Sequence, residues 1–186
     1  MKFKANYIMD SINENQEEHN RENLIGSAAV DKIRELIDIS GSCFFVTSTS
    51  FNNSHKSRPM SVQKTDDAGN IWFLSAKDSM KNMEIAADTD VTLYFQGSSY
   101  SDFLELNGHA VISEDRAKIE ELWDPMVKAW FTEGINDPRI SVIQFIPDSG
   151  YYWDNKHGNA VAFLKTAIGA MLGKTMDDSI EGHLKT

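Results

Sequence analysis

The spacing of apolar side chains changes character at residue 27. Residues 1–22 are polar and acidic, dominated by Asn and Glu, and their apolar side chains are too sparse to close a core, so they read as an extension with some helix at most. From Ser27, Ala29, Val30, Ile33, Leu36 and Ile37 recur at i, i+3, i+4 and i+7, the spacing of one helix face, and Gly41 ends the run. Strand patterns follow. CFFVTS (43–48) is rich in aromatic and β-branched residues, SVQKT (61–65) alternates, and Asp67, Ala68, Gly69 and Asn70 supply a turn before IWFLS (71–75), which predicts a hairpin. In 79–88, Met80, Met83, Ile85 and Ala87 suit a short helix, with Asp78 or Ser79 as its N-cap. VTLYFQ (91–96) and FLELNGHAVI (103–112) form the next antiparallel pair. Ser113, Glu114 and Asp115 open a helix that runs to about Trp123, breaks at Pro125 and resumes over 126–131. Gly134 and Asp137-Pro138 mark a loop before two strands, 140–146 and 150–154, and a helical stripe from Ala160 through Leu164, Ala167, Ile168 and Met171 to Leu172 stops at Gly173. A doubly wound parallel sheet needs a helix after every strand, and the first hairpin forbids it. The pattern therefore predicts a mainly β, α+β barrel.

Composition narrows this to one domain, because 186 residues that are 41% hydrophobic close one good core and nothing suggests two. Its bounds fall at 23–173, with 1–22 as the acidic extension and 174–186 as a polar tail. A formal charge of -10 argues against nucleic acid and against an anionic membrane surface as partners. The first twenty residues lack the apolar run of a signal peptide, and no later run reaches membrane-spanning length, which sets the expected compartment as the cytoplasm. Cys43 is the single cysteine, so no intrachain disulfide forms, and its apolar surroundings read as a buried structural thiol.

Charge is distributed unevenly. Between Asp38 and Asp66 there is no carboxylate, while His55, Lys56, Arg58 and Lys64 fall there, a basic island that suits a small anionic ligand. Ser79 and Lys81 sit in the first turn of the 79–88 helix, where free backbone N–H groups and the positive dipole end favour phosphate. Arg58 and Lys64, six residues apart on what reads as one strand, would point to the same face. Trp72, Phe73, Tyr94 and Phe95 could line a site for a planar heteroaromatic ligand. A capped helix with ordinary surface charges and aromatics packed in a core would carry the same residues. His19, His55, His109, His157 and His183 show no metal-ligand spacing, and no Ser-His-Asp or Cys-His constellation is visible, so no metal and no catalytic residue are assigned.

The blocks SAAVDKIRELI, SRPM, GNIWFLS, DSMKNMEI, VTLYF, LNGHAVISED, ELWDPMVKAWFTEGINDP and YYWD, in this order from about Asn23 to Gly173, resemble the FMN-binding split barrels of the pyridoxamine 5'-phosphate oxidase superfamily, in its general stress protein 26-like branch. The resemblance implies a six-stranded antiparallel split β-barrel with flanking helices, and a homodimer with FMN at the subunit interface. By position it implies that Arg58 serves the phosphate and ribityl end of the cofactor and that the strand of Pro59, Met60 and Ser61 edges the isoalloxazine ring. Phe73 and Leu74 match the second strand under the flavin, and Ser79 with Lys81 the phosphate-binding turn. Gln96 and Trp130 take the places of contacts made across the subunit interface. The oxidases continue their last strand into an Arg-x-His segment over the substrate. Here WDNKHGN follows, which argues against pyridoxamine phosphate oxidation. The implied function is that of an FMN-binding general stress protein, a flavin-dependent oxidoreductase acting on a small molecule with reduced nicotinamide as donor. The alternatives are a flavin-buffering protein without turnover and a barrel for another cofactor, deazaflavin or haem.

Overall fold

The computed structural model describes residues 20–51, 56–99, 101–158, 165 and 178–186. Strand β1 (Leu24–Ile25) leads into α1 (Ser27–Ser40), whose Ala29, Ile33, Leu36 and Ile37 are buried at the predicted spacing. Gly41, at φ 64, caps the helix by donating its N–H to Ile37 O, a left-handed conformation that favours glycine. There follow β2 (Ser42–Thr47), β3 (Ser57–Ser61), β4 (Lys64–Thr65), β5 (Ile71–Ala76), α2 (Met80–Ala87), β6 (Asp90–Gln96), β7 (Phe103–Ser113) and α3 (Arg116–Leu122). Two 3-10 segments, Pro125–Ala129 and Gly134–Asn136, precede β8 (Ile140–Asn155) and β9 (Ser179–Lys185).

One sheet joins these strands in the order β1-β9-β8-β7-β6-β2-β3, and β8 makes it fork. Along one edge β8 pairs with β7. Along the other, its first half pairs with β5 (Ile140↔Ala76 to Phe145↔Ile71) and its second half with β9 (Ser149↔Lys185 to Asn155↔Ser179). The mainly β split barrel that the resemblance implied is the fold, but the sheet has nine strands and not six, the two-residue β1 and β4 and the seven-residue β9 being additional. β3 and β5 approach at Gln63, whose N–H bonds Trp72 O at 2.9 Å, and among the described residues no ladder joins them beyond that point. The resulting gap is where the site forms.

The main core lies between α1 and the barrel strands, with Phe45 and Phe73 edge to face at a centroid distance of 5.5 Å. A second cluster of Leu74, Ile119, Leu122, Val127, Phe131, Ile140 and Val142 fastens α3 and the first 3-10 segment to β5 and β8.

Four expectations differ from what forms. The 61–65 strand divides: Ser61 pairs with Ser42 in β3, and only Lys64 and Thr65 make the hairpin, opposite Trp72 and Ile71. The two strands expected at 140–146 and 150–154 are one bent strand, since the chain runs through Pro147 to Gly150 beside a register shift at Asn107/Gly108. A Cβ at Gly108 would lie 2.1 Å from Ile146 O, so only glycine permits that approach. The expected polar tail supplies β9, anchored by fully buried Leu184 and by Gly182, where a Cβ would meet Glu22 O at 1.8 Å. Asn20–Glu22, read as extension, pack on that strand: Glu22 donates its N–H to Glu181 O and its carbonyl accepts the Tyr152 hydroxyl at 2.9 Å. The helical stripe from Ala160 to Leu172 and the remainder of the extension lie outside the described residues.

Candidate functional site

Between β3 and β5 lies a cavity of about 340 Å³, lined by Pro59, Met60, Ser61 and Gln63 on one side and Leu74, Ser75 and Ala76 on the other. Ser79 and Lys81 close one end, and Val127 of the first 3-10 segment with Trp130 and Phe131 just after it wall the cavity. Seven of the ten residues singled out for cofactor binding thus line one cavity: Pro59, Met60, Ser61, Leu74, Ser79, Lys81 and Trp130, the last from the same chain and not across a subunit interface as expected.

Lys81 is the chemical centre of this arrangement. It is only 8% exposed, and among the described residues its hydrogen bond goes to a thioether, Met60 Sδ, at 3.3 Å. Burial, and then the charge of Arg58, pull its pKa down to about 8, with the carboxylate of Glu84 acting against them. A buried ammonium without an oxygen partner is costly, so the geometry favours an anion beside it.

Arg58, expected at the phosphate, is not among the residues that line the cavity; its charge acts on Lys81, and Glu84 and Thr47 hold its guanidinium. Its Nη2 lies 2.8 Å from Glu84 Oε2 and its Nη1 donates to Thr47 Oγ1 at 3.3 Å, while the Thr47 hydroxyl donates to Glu84 Oε2 at 2.8 Å. Glu84 is completely buried.

The start of α2 is fixed just as firmly. Ser79 is its N-cap, accepting from Asn82 N at 3.3 Å. Asn82 Oδ1 accepts from Ser75 Oγ at 2.7 Å, its amide donates to Ser141 Oγ at 2.8 Å, and Ser141 donates to Ser75 O at 3.0 Å. This buried polar network places the helix N-terminus, with its unpaired backbone N–H groups, at the end of the cavity.

Sequence reasoning missed Thr47, Ser75, Asn82, Glu84 and Ser141. Asn82 and Glu84 stand one and three residues beyond Lys81, yet polar residues on a short helix carry no sign that they will be buried.

The other expected positions fall elsewhere. Phe73 is fully buried against Phe45, and β5 meets the cavity through its neighbours from Leu74 onward. Trp72 turns outward, donating Nε1 to Asp66 Oδ2 at 3.0 Å under the Lys118 ammonium, 4.5 Å from the ring centroid. Lys64 does not share a face with Arg58, because the chain changes strand at 62–63, and it pairs with Glu121 at 2.6 Å. Gln96 is exposed and lines a separate hollow of about 620 Å³ on the outer sheet face, with Phe44, Tyr94 and Trp153. Pro59 lines both hollows. His157 bonds Asp178 at 2.7 Å and Lys156 bonds Asn20, so both hold chain ends together away from the cavity. Burial pushes the Cys43 thiol up to about 12, consistent with a structural role. Among the described residues no group of three His, Cys, Asp or Glu is placed to hold a metal ion, and no helix is long and apolar enough to cross a membrane.

The residues present fit a phosphorylated flavin. The underpartnered ammonium and helix N-terminus suit the phosphate, the apolar walls suit a planar ring, and β3, an edge strand, offers backbone groups to ring heteroatoms.

Comparison with known proteins agrees with the fold. A general stress protein 26 assignment from Jannaschia sp. CCS1 superposes with a TM-score of 0.70 at 24% identity, covering 84% of this chain and 97% of that one. General stress protein 26 from Bacillus anthracis gives 0.57 at 22% identity (66% and 92% covered). A general stress FMN/FAD-binding protein from Xanthomonas citri gives 0.53 at 22% (64% and 84%). Protein bli-3 of Neurospora crassa is 26% identical over 127 residues, 63% of this chain and 61% of that protein, so the chain spans under two thirds of that relative's length. The family model described as pyridoxamine 5'-phosphate oxidase like matches residues 28–177, well over half of the sequence, and the chain belongs to that family.

Proposed function

We infer that this protein binds FMN in the cavity between β3 and β5 and acts as a flavin-dependent oxidoreductase of the general stress protein 26 type. The observation that carries this reading is Lys81, a buried ammonium whose partner is a thioether, at a helix N-terminus beside Arg58. Lys81, Arg58 and the first turn of α2 would hold the phosphate. Pro59, Met60, Ser61 and Leu74 would flank the ring, and Trp130 with Phe131 would exclude water from it. Bound flavin supplies the redox chemistry itself, accepting electrons from a donor such as reduced nicotinamide and passing them to a small-molecule acceptor. The chain's part is binding, orientation and electrostatics. Among the described residues Lys81 is the one titratable side chain lining the cavity, and its part is to hold the phosphate.

Flavin binding also accounts for a second copy of the chain. Phe44, Tyr94 and Trp153 are 57%, 45% and 41% exposed around the hollow that contains Gln96 and reaches Pro59, an apolar face suited to a homodimer whose partner approaches the ring.

Absorbance spectra of the purified protein, before and after anaerobic NADPH, test the reading. Bands of an oxidised flavin that bleach with NADPH are expected. Flavin bands that do not bleach would leave a flavin-buffering role, and a protein that neither carries nor takes up flavin would overturn the proposal.

A further inference from the structure

Two cations that act on each other come from different elements, Lys81 of α2 in the lining of the cavity and Arg58 of β3 outside that lining, and one side chain ties the second to the helix of the first. We propose that Glu84 is a positioning residue for the cofactor phosphate, tying the guanidinium of Arg58 to the helix that carries Lys81 so that both cations face one anion. The inference rests on reading the cavity as a flavin phosphate site.

Glu84 lies three residues beyond Lys81 on α2, on the neighbouring helix surface. Its Oε2 receives Arg58 Nη2 and the Thr47 hydroxyl, each at 2.8 Å, so a wholly buried carboxylate pins α2 onto β2 and β3 at once. A buried ion pair of this kind can serve folding alone. The position of Lys81 gives this one a further consequence. Among the described residues, the charged groups acting on Lys81 are Arg58 from β3 and Glu84 from its own helix. From β5, the first 3-10 segment and the residues just after it, Ser75, Val127, Trp130 and Phe131 bring no charge to the cavity. Among the described residues Glu84 thus pairs with Arg58 and leaves the charge of Lys81 for the phosphate.

That charge depends on pH. Lys81 loses its proton near pH 8, held that high by Glu84 against burial and Arg58. Above that point FMN must bring a proton back with it, and affinity falls. Without the Glu84 charge the fall begins at lower pH. Riboflavin has no phosphate and shows no such profile, and it also reports any ring ionisation common to both ligands.

The test measures dissociation constants of FMN and riboflavin for the full-length flavin-free protein between pH 7 and 9.5, by flavin fluorescence, in wild type, Glu84→Gln and Glu84→Asp. In wild type, FMN binding is expected to be flat to about pH 8 and then to weaken toward tenfold per pH unit. In Glu84→Gln the fall should start at lower pH. Glu84→Asp, which keeps the charge and shortens the reach, should keep the wild-type midpoint while weakening FMN at least about threefold and leaving riboflavin unchanged. If wild type and Glu84→Gln share one midpoint while FMN still binds better than riboflavin, the proposal is overturned and the phosphate reading stands. Equal binding of FMN and riboflavin by wild type overturns the phosphate reading, and this proposal with it. Should Glu84→Gln not fold, an unchanged FMN constant in Glu84→Asp overturns the proposal.

Discussion

Lys81 Nζ lies 3.3 Å from Met60 Sδ, so the ammonium at the head of α2 spends its hydrogen bond on a weak acceptor from the strand opposite. That relationship separates stability from function at this position. The folded-state pKa of Lys81, about 8, is below its ordinary 10.5, so between these values the unfolded chain binds more protons and stability rises with pH across that window. Below pH 8 the buried charge costs the flavin-free protein on the order of 3 kcal/mol. Lys81→Met is expected to raise the melting temperature of flavin-free protein at pH 7 by several degrees and to abolish the rise of stability between pH 8 and 10.5. The same variant should bind FMN roughly ten- to a hundredfold more weakly, from about 1.5 to 3 kcal/mol for a charged hydrogen bond, with riboflavin little affected. Calorimetry and flavin titration of one preparation measure both. A variant less stable than wild type at pH 7 would contradict this account of the buried charge.

Asn82→Ala should destabilise the protein by roughly 2 kcal/mol, because it removes the partner that Ser75 Oγ and Ser141 Oγ share in a buried site. For a chain of this size the melting temperature then falls by about 4–8 °C. Since the same network seats the N-terminus of α2, FMN affinity should drop more than riboflavin affinity.

Deleting residues 179–186 uncovers the edge of β8 from Ser149 to Asn155 and removes the buried Leu184. Expected results are a much lower melting temperature and concentration-dependent aggregation. Unchanged unfolding of the truncated protein would mean that β9 adds nothing to the barrel.

Phe44→Glu places a charge at the centre of the exposed apolar face shared with Tyr94 and Trp153. Light scattering should report a dimer for wild type and a monomer for the variant, with circular dichroism unchanged. A monomeric wild type that still retains flavin would remove Gln96 from the cofactor site.

Cys43 should resist alkylation in the native protein at pH 8, because burial holds the thiol protonated with a pKa near 12, and should react once the chain is unfolded in denaturant. Mass spectrometry after a short pulse of iodoacetamide distinguishes the two states. Rapid labelling of the native protein would show that β2 opens locally.

What could be read along the chain was local. The periodicity of Ala29, Ile33, Leu36 and Ile37 predicts α1 and Gly41 its end, and the Ser79 cap predicts the start of α2, because each signal is complete within about a dozen residues. The same local logic singled out Arg58, Ser79 and Lys81 as candidates, and the order of blocks along the sequence carried the split barrel. Tertiary structure decided the rest. That Glu84 lies under Arg58 and that Asn82 reaches Ser141 across 59 positions depend on how α2 packs on the sheet, and that Lys64 pairs with Glu121 depends on which strand the chain joins after residue 61. A polar side chain carries no mark in sequence of whether it will meet water or a partner. Its burial is set by contacts distant along the chain, and it was those contacts that turned a row of ordinary helix residues into the support for one ammonium.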